Sequence, residues 1–235
     1  MNSEDSEILR KNVKKITENI MRTAIESKRD PKSIRLVAVS KTVQAEIIKE
    51  AIKAGVTILG ESYIQEAIGK INSLSTYPVS WHFIGHLQTK KAKYAVKFFD
   101  LIHSVDSIKL ALELDREAAK INKVQDILIQ VNISGEQTKF GARTDDVLNM
   151  VKKISELKNV SIKGLMTMPP FFNDPEKARP YFRKLCQLKD FIGQSIMRQI
   201  SMNELSMGMS NDYKIAIAEG ATLVRIGTAL FGERN

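Results

Sequence analysis

Cysteine, aromatic residues and long apolar runs are scarce in this chain of 235 residues, which has one cysteine and 6% aromatic residues. The lone Cys186 excludes a disulfide framework within the chain, and its place on an apolar face with Phe182 and Leu185 predicts core packing. No apolar run approaches the ~20 residues that span a bilayer, and the polar N-terminus lacks the apolar segment of a secretory signal. We therefore expect a soluble, cytoplasmic protein without a membrane segment.

Linkers and low-complexity tracts are also absent, so we interpret residues 1–235 as a single domain. The 36 Lys and Arg against 27 Asp and Glu give a net charge of +9, which is spread along the chain. The densest basic cluster consists of Lys90, Lys91, Lys93 and Lys97. Helical spacing places much of this cluster on a solvated face, so we expect no nucleic-acid partner.

Metal ligands are few as well. His82 and His86 are four residues apart, but Gly85 and the strand pattern around them argue against a shared helical face. No carboxylate or thiol completes a plausible zinc site with these two histidines. We therefore expect no bound metal.

Short apolar runs alternate with helical patterns along the chain. A first helix is predicted at residues 4–27, and Pro31 follows it. Eight strands are predicted next, at residues 36–39, 57–59, 81–84, 101–103, 127–132, 162–166, 204–206 and 223–226. Such alternation requires a mostly parallel α/β sheet, and eight strands favour a closed (β/α)8 TIM-type barrel over an open doubly wound sheet. Because the chain ends just after the eighth strand, we expect the extra N-terminal helix to cover the place of the eighth helix.

Polar residues that follow the strands mark the candidate site, since such barrels carry their active sites at the carboxyl ends of the strands. Gly208 and Ser210 follow the seventh strand, and Gly227 and Thr228 follow the eighth. Glycine lets backbone N–H groups approach an anion, and the hydroxyls add donors. Taken alone, each loop is better explained as an ordinary turn before a helix cap. Two such loops in neighbouring positions favour a phosphate site.

Lys41 directly follows the apolar first strand and therefore points towards the mouth of the barrel. Partial burial there favours a neutral amine, which can form a Schiff base with an aldehyde. The alternative is a lysine that simply extends into solvent. A Schiff-base lysine and a phosphate site on one barrel face together describe a site for pyridoxal 5′-phosphate (PLP). Arg225, at the end of the eighth strand, would lie within reach of the cofactor ring.

Seven short motifs occur in order along the chain. They are VAVSKT at 37–42, GESYIQE at 60–66, WHFIGHLQ at 81–88, KFG at 139–141, GLM at 164–166, SMGMSND at 206–212 and VRIGTALFG at 224–232. In this order they resemble the motifs of the pyridoxal phosphate homeostasis proteins, also called the YggS or PROSC family. That family is related to the N-terminal barrel of alanine racemase. The resemblance covers nearly the whole chain and implies one alanine-racemase-like, PLP-binding barrel domain.

The resemblance also implies roles for particular residues. Lys41 is implied to hold PLP as a Schiff base, and Arg225 is implied to face the pyridine nitrogen. The other implied cofactor contacts are Ser206, Gly227 and Thr228 at the phosphate, together with Met166 and Gly208 from two of the motifs. The chain departs from the family pattern at Ser62 and Lys90, which stand where asparagine is usual. Ser62 offers no side-chain amide to the cofactor, and Lys90 adds a positive charge near its loop.

The function that the resemblance implies is PLP binding in intracellular PLP homeostasis, without substantial catalysis. PLP-dependent apo-enzymes are the expected recipients of the cofactor, and a monomer or weak homodimer is expected. The alternative is a PLP-dependent amino-acid racemase, which needs a base on each face of the substrate carbon. In the resembled racemases one base is a tyrosine from a C-terminal domain that follows the barrel, and this chain ends before such a domain. Tyr63 is the one tyrosine that we place near the barrel mouth.

Overall fold

The structure is a computed structural model that describes residues 3–195 and 202–233. The strands in these residues are β1 (Arg35–Val39), β2 (Ile58–Glu61), β3 (Ser80–Phe83), β4 (Leu101–Val105), β5 (Gln125–Asn132), β6 (Ala142–Arg143), β7 (Val160–Met166), β8 (Glu204–Ser206) and β9 (Leu223–Ile226). The α-helices are α1 (Ser3–Glu26), α2 (Ala45–Lys53), α3 (Ile64–Ser73), α4 (Ala92–Phe98), α5 (Ile108–Ala119), α6 (Val147–Ser155), α7 (Arg179–Ser195), α8 (Tyr213–Ala218) and α9 (Thr228–Phe231). Strands and helices alternate along most of the chain, as the sequence pattern predicts.

Eight of the strands close into a parallel barrel in the order β1-β2-β3-β4-β5-β7-β8-β9. β1 pairs with β2 on one side and with β9 on the other, and β4 pairs with β5, which completes the ring. The short strand β6 pairs with β5 beside the ring. The predicted (β/α)8 barrel is therefore confirmed, and β6 is an additional strand that the sequence pattern did not indicate.

Alternate residues of each strand point to opposite faces of the barrel wall. In β1, Val37 belongs to the apolar cluster inside the barrel, whereas Ala38 belongs to the cluster between the barrel and the helices. The inner cluster consists of Val37, Ile58, Leu101, Leu128, Met166 and Leu223. Because these side chains fill the interior, the barrel is a packed core and not a pore.

The N-terminal helix α1 packs against α2, α8 and α9. Its buried apolar side chains recur three or four residues apart and are Leu9, Val13, Ile16, Ile20 and Ala24. Asn12 Nδ2 donates a hydrogen bond of 3.2 Å to the carbonyl oxygen of Leu230 in α9. Because α9 has only four residues, α1 covers the place of a full eighth helix, as predicted. None of the described helices is long and apolar enough to cross a membrane.

Predicted and observed strand boundaries agree to within two residues. The second strand extends to Glu61 because Glu61 pairs with Phe83 of β3. The helix α2 ends at its C-cap Ala54, and the next residue, Gly55, has a φ of +106°, which favours glycine. Cys186 is half-buried and packs against the main apolar cluster, as predicted.

Candidate functional site

A cavity of about 640 Å³ lies at the carboxyl ends of the barrel strands. Residues that follow β1, β2, β3, β8 and β9 contribute to its wall. Four of the predicted cofactor-binding residues line this cavity, namely Lys41, Arg225, Gly227 and Thr228. The structure thus brings the amine-bearing loop and both hydroxyl-bearing loops together around one space, since Ser210 also lines the cavity.

Three further predicted residues, Ser206, Met166 and Gly208, are buried and do not contribute to the lining. Met166 belongs to the cluster inside the barrel. Gly208 has a φ of +91°, and a Cβ atom there would lie 2.9 Å from the Cα of Tyr213 in α8. Its glycine identity is therefore explained by backbone conformation and close packing. Contact of these three residues with a cofactor stays a prediction.

Arg225 extends from β9 into the site and is almost fully buried. Its Nη2 donates to the carbonyl oxygen of Thr167 at 2.9 Å, and its backbone N–H donates to the oxygen of Gly208 at 3.0 Å. Burial lowers the pKa of Arg225 to about 10, and the nearby Asp212 carboxylate opposes that shift. The guanidinium is therefore charged at neutral pH. Burial raises the pKa of Asp212, whose Oδ1 accepts a 2.6 Å hydrogen bond from the N–H of Met209.

A chain of buried hydrogen bonds runs from Arg225 across the barrel. Arg225 Nη1 donates to Ser206 Oγ at 2.6 Å, so the Ser206 hydroxyl is free to donate to Nδ1 of His103 at 2.8 Å. This direction places the His103 proton on Nε2, which donates to Nδ1 of His82 at 2.9 Å. Burial lowers the pKa of His103 well below its usual range and that of His82 to about 4. Both rings are therefore neutral at pH 7.

This role of the two histidines was not predicted from the sequence. His103 lies inside an apolar strand, and the sequence pattern raised His82 only as a metal ligand. A polar side chain in an otherwise apolar strand was the available signal, because such a group needs a partner when it is buried. In the part of the chain that the structure describes, no cluster of three or more His, Cys, Asp or Glu residues could hold a metal ion.

The loops after β8 and β9 are joined at the cavity wall. The backbone N–H of Ala229 donates to Ser210 Oγ at 3.3 Å, and Ser210 and Thr228 both line the cavity. Gly227 is buried between Arg225 and the exposed Thr228. Two hydroxyl groups and a glycine backbone thus lie near the buried guanidinium. This arrangement offers hydrogen-bond donors of the kind that bind anions. The phosphate site that the sequence indicates at these loops stays a prediction.

The rim of the cavity is apolar and exposed. Tyr63 is 56% exposed, Phe140 54% and Phe171 75%, and each lines the cavity. The ring of Phe140 stacks on His86, with 3.9 Å between the ring centroids. The residue that replaces a family asparagine at position 62, Ser62, lines the cavity as well.

Lys90, the second departure from the family pattern, does not contribute to the lining. It lies on the surface in the 3₁₀ turn Thr89–Lys91, just before α4. Its charge is therefore a feature of the surface near the site and not of the cavity wall.

The sequence is similar to proteins of known families. It matches the family described as "Alanine racemase, N-terminal domain" over residues 5–235. It is 43% identical to a pyridoxal phosphate homeostasis protein of Aquifex aeolicus (strain VF5), over 94% of this chain and 96% of that relative. It is 36% identical to the protein of the same name from Escherichia coli (strain K12), over 95% of this chain and 96% of that relative.

Solved structures share the fold. PipY of Synechococcus elongatus PCC7942, whose structure was determined with PLP bound, is 38% identical, with a TM-score of 0.81. The match covers 91% of this chain and 100% of that one. An alanine racemase of Clostridium difficile 630 is 16% identical, with a TM-score of 0.67, over 93% of this chain and 56% of that one. At that identity, the likeness to the racemase shows a shared fold alone.

Proposed function

The chain belongs to the family of pyridoxal phosphate homeostasis proteins, and from this premise we propose that it binds PLP and takes part in PLP homeostasis. The PLP bound in PipY supports this choice of cofactor. The observation that carries the proposal is that Lys41, Arg225 and Thr228 line the same cavity. PLP has an aldehyde, a pyridine ring and a phosphate, and these three side chains offer an amine, a guanidinium and a hydroxyl.

We assign the phosphate to the loops after β8 and β9. Gly227 has no side chain to keep an anion away from the backbone, and the hydroxyls of Thr228 and Ser210 are available in the cavity wall. Hydrogen bonds to a phosphate are charge-assisted and therefore strong. The predicted contact from Ser206 would have to be shared, since its hydroxyl already bonds to the buried guanidinium and an imidazole.

We assign the pyridine ring to Arg225. The Ser206 hydroxyl and the Thr167 carbonyl hold the guanidinium in place, so its charge has a fixed position. A permanent cation next to the pyridine nitrogen disfavours protonation of that nitrogen. When bound, PLP supplies an electron-withdrawing ring, and an unprotonated nitrogen weakens that property. This choice of residue suits a protein that binds the cofactor more than one that uses it in transamination.

We assign the aldehyde to the Lys41 amine, which would bond to the aldehyde carbon with the loss of one water molecule. The test is to mix the purified protein with PLP, reduce it with borohydride and map the labelled peptide by mass spectrometry. One phosphopyridoxyl group on the peptide that contains Lys41 is the expected result. A label found mainly on another lysine, such as Lys139, would overturn the assignment.

We further propose that PLP-dependent apo-enzymes receive the cofactor from this protein. The exposed apolar side chains of Tyr63, Phe140 and Phe171 surround the cavity, and such patches are typical of surfaces that contact other proteins. Transfer of PLP to an apo-enzyme should therefore be slower for Phe171→Ser than for the wild type. The expected monomer or weak homodimer, and the cytoplasmic location, stay predictions.

A further inference from the structure

Lys41 lies in a turn, and the residue before it, Ser40, is held by hydrogen bonds at its backbone N–H, its hydroxyl and its carbonyl oxygen. The N–H of Ser40 donates to the oxygen of Gly60 at 2.9 Å, and Ser40 Oγ donates to Oε1 of Glu61 at 2.7 Å. The Ser40 carbonyl oxygen accepts a 2.6 Å hydrogen bond from Nζ of Lys70. The backbone of Ser40 is thus bonded to both β2 and α3, and its side chain is bonded to β2.

Lys70, in α3, is buried and satisfied. Besides the Ser40 carbonyl, its Nζ donates to Oε1 of Glu61 at 2.9 Å and to Oε1 of Glu66 at 2.5 Å. An ammonium group has three N–H donors, and these three acceptors use all of them. Lys70 is therefore a structural cation, and its amine is not available to a ligand.

The residue after Lys41 is held by the same cluster. The N–H of Thr42 donates to Oε1 of Glu66 at 2.5 Å, the carboxylate oxygen that also accepts from Lys70. Thr42 has a φ of +61°, which a β-branched residue rarely adopts and which the surrounding contacts must maintain. A cluster of three charged side chains thus holds the turn. Lys70 and Glu66 bond to the backbone on the two sides of Lys41, and Glu61 bonds to the Ser40 hydroxyl.

Stabilisation of the fold does not by itself account for this cluster of Lys70, Glu61 and Glu66. Glu61 is fully buried, and its Oε2 has no hydrogen-bond partner among the described residues. Burial raises the pKa of Glu61, while the hydrogen bonds from Lys70 and Ser40 oppose that shift. Buried ion pairs often contribute little net stability, because desolvation offsets their attraction. What the cluster does contribute is a defined backbone path through the Lys41 turn.

We propose that Lys70, Glu61 and Glu66 are positioning residues that hold the Lys41 turn so that its amine meets the cofactor aldehyde. This inference rests on the proposed function. In the step that they would assist, the Lys41 nitrogen would form a double bond to the aldehyde carbon. The carbonyl oxygen would leave as water with the two hydrogens of the neutral amine, and no oxidant or reductant is needed. Misplacement of a reacting group by about 1 Å can slow a reaction by about a hundredfold.

The test compares Lys70→Met with the wild type and with a matched control, Glu219→Gln. Glu219 also accepts several charged hydrogen bonds, from Arg179 and Arg183, but it lies at the end of α8, outside the cavity lining. The measurement is the rate at which PLP becomes fixed to Lys41, trapped with borohydride at timed intervals. We expect at least about a tenfold slower attachment in Lys70→Met and an unchanged rate in Glu219→Gln.

Pyridoxine 5′-phosphate separates positioning from collapse of the cavity, because it has the ring and phosphate but no aldehyde. Its affinity should be the same in Lys70→Met and the wild type. The inference would be overturned if a folded Lys70→Met variant attached PLP at the wild-type rate. It would also be overturned if the affinity of that variant for pyridoxine 5′-phosphate fell by the same factor as its rate of PLP attachment. If Lys70→Met does not fold, Glu66→Ala takes its place, with the same slower attachment expected. A wild-type protein that carries no label on Lys41 would instead overturn the proposed function.

Discussion

Arg225 and Ser206 are joined by a buried hydrogen bond of 2.6 Å, in which the guanidinium donates to the hydroxyl oxygen of Ser206. Arg225 lines the cavity, whereas Ser206 does not. Ser206 in turn bonds to His103, so the position of the guanidinium depends on groups that never reach the cavity. Replacing Ser206 therefore disturbs a cation as well as a hydroxyl, whereas replacing Thr228 removes a hydroxyl from the cavity wall alone.

Thr228→Val should weaken the retention of PLP. The change removes a hydrogen bond to a charged group, worth roughly 1.5–3 kcal/mol, which corresponds to about ten- to a hundredfold in affinity. Ser206→Ala should also weaken binding, through the phosphate or through Arg225. Titration with PLP measures both variants. Unchanged affinity in both would place the phosphate elsewhere.

Lys41→Ala should abolish the covalent attachment of PLP but retain part of the affinity, because the loops at Gly227 and Thr228 are intact. Lys41→Arg should also lose the covalent attachment of PLP, since a guanidinium stays protonated and cannot bond to the aldehyde carbon. Absorption spectra and borohydride trapping report attachment, and equilibrium dialysis reports affinity. Persistent labelling of either variant would show that a different lysine carries the cofactor.

The stability of the protein should fall as the pH is lowered from 6.5 to about 4, in part because of His82. Burial lowers the pKa of this histidine from its ordinary value of 6.5 to about 4, so the unfolded chain binds more protons than the folded protein in this window. The contribution is present above pH 6.5 and is lost as the pH falls, by up to ~3 kcal/mol across the window. Urea unfolding at several pH values measures the free energy of unfolding. Between pH 6.5 and about 4, this free energy should fall less steeply for His82→Gln than for the wild type.

His86→Gln is the matched control for that experiment, because His86 is an exposed residue of the loop that follows β3. Burial lowers the pKa of His103 as well, so part of the pH dependence should remain in His82→Gln. An identical pH slope in the wild type and in His82→Gln would contradict the assignment of His82 as a buried neutral group.

Racemase turnover should be no more than trace. The alternative function needs a second base, and Tyr63 is the candidate at the cavity rim, where it is 56% exposed. Incubation with PLP and L-alanine or other L-amino acids, followed by chiral chromatography, measures the D-isomer. Efficient turnover that is lost in both Lys41→Ala and Tyr63→Phe would establish the racemase instead.

Gly208→Ala should destabilise the protein by about 1–3 kcal/mol, because its φ of +91° strains any side chain and a Cβ atom would collide with Tyr213. Gly193→Ala is the control: it lies within α7, where a Cβ atom meets nothing within 4 Å. Alanine there should stabilise the protein by roughly 0.5–1 kcal/mol. Thermal unfolding compares the two variants, and equal melting temperatures would contradict the close packing on α8.

The order of the eight barrel strands and their helices could be predicted from the chain alone, because burial on both faces makes barrel strands short, continuous apolar runs. The short strand β6, outside the barrel, could not. The predicted strands in turn located four residues that line the cavity, because each of them follows a strand or lies near its carboxyl end. These residues are Lys41, Arg225, Gly227 and Thr228. These predictions depend on local pattern and on chain direction. Local pattern and chain direction can both be read from the sequence without the tertiary structure.

The partners of the buried polar groups depended on the closed barrel. His103 meets Ser206 across 103 residues of sequence, and Ser40 meets Lys70 across 30. No periodicity encodes such pairs, because they form only when strand register and barrel closure bring two distant side chains to the same face. A buried polar group needs a hydrogen-bond partner, and the closed barrel determines which groups lie within hydrogen-bond distance of it.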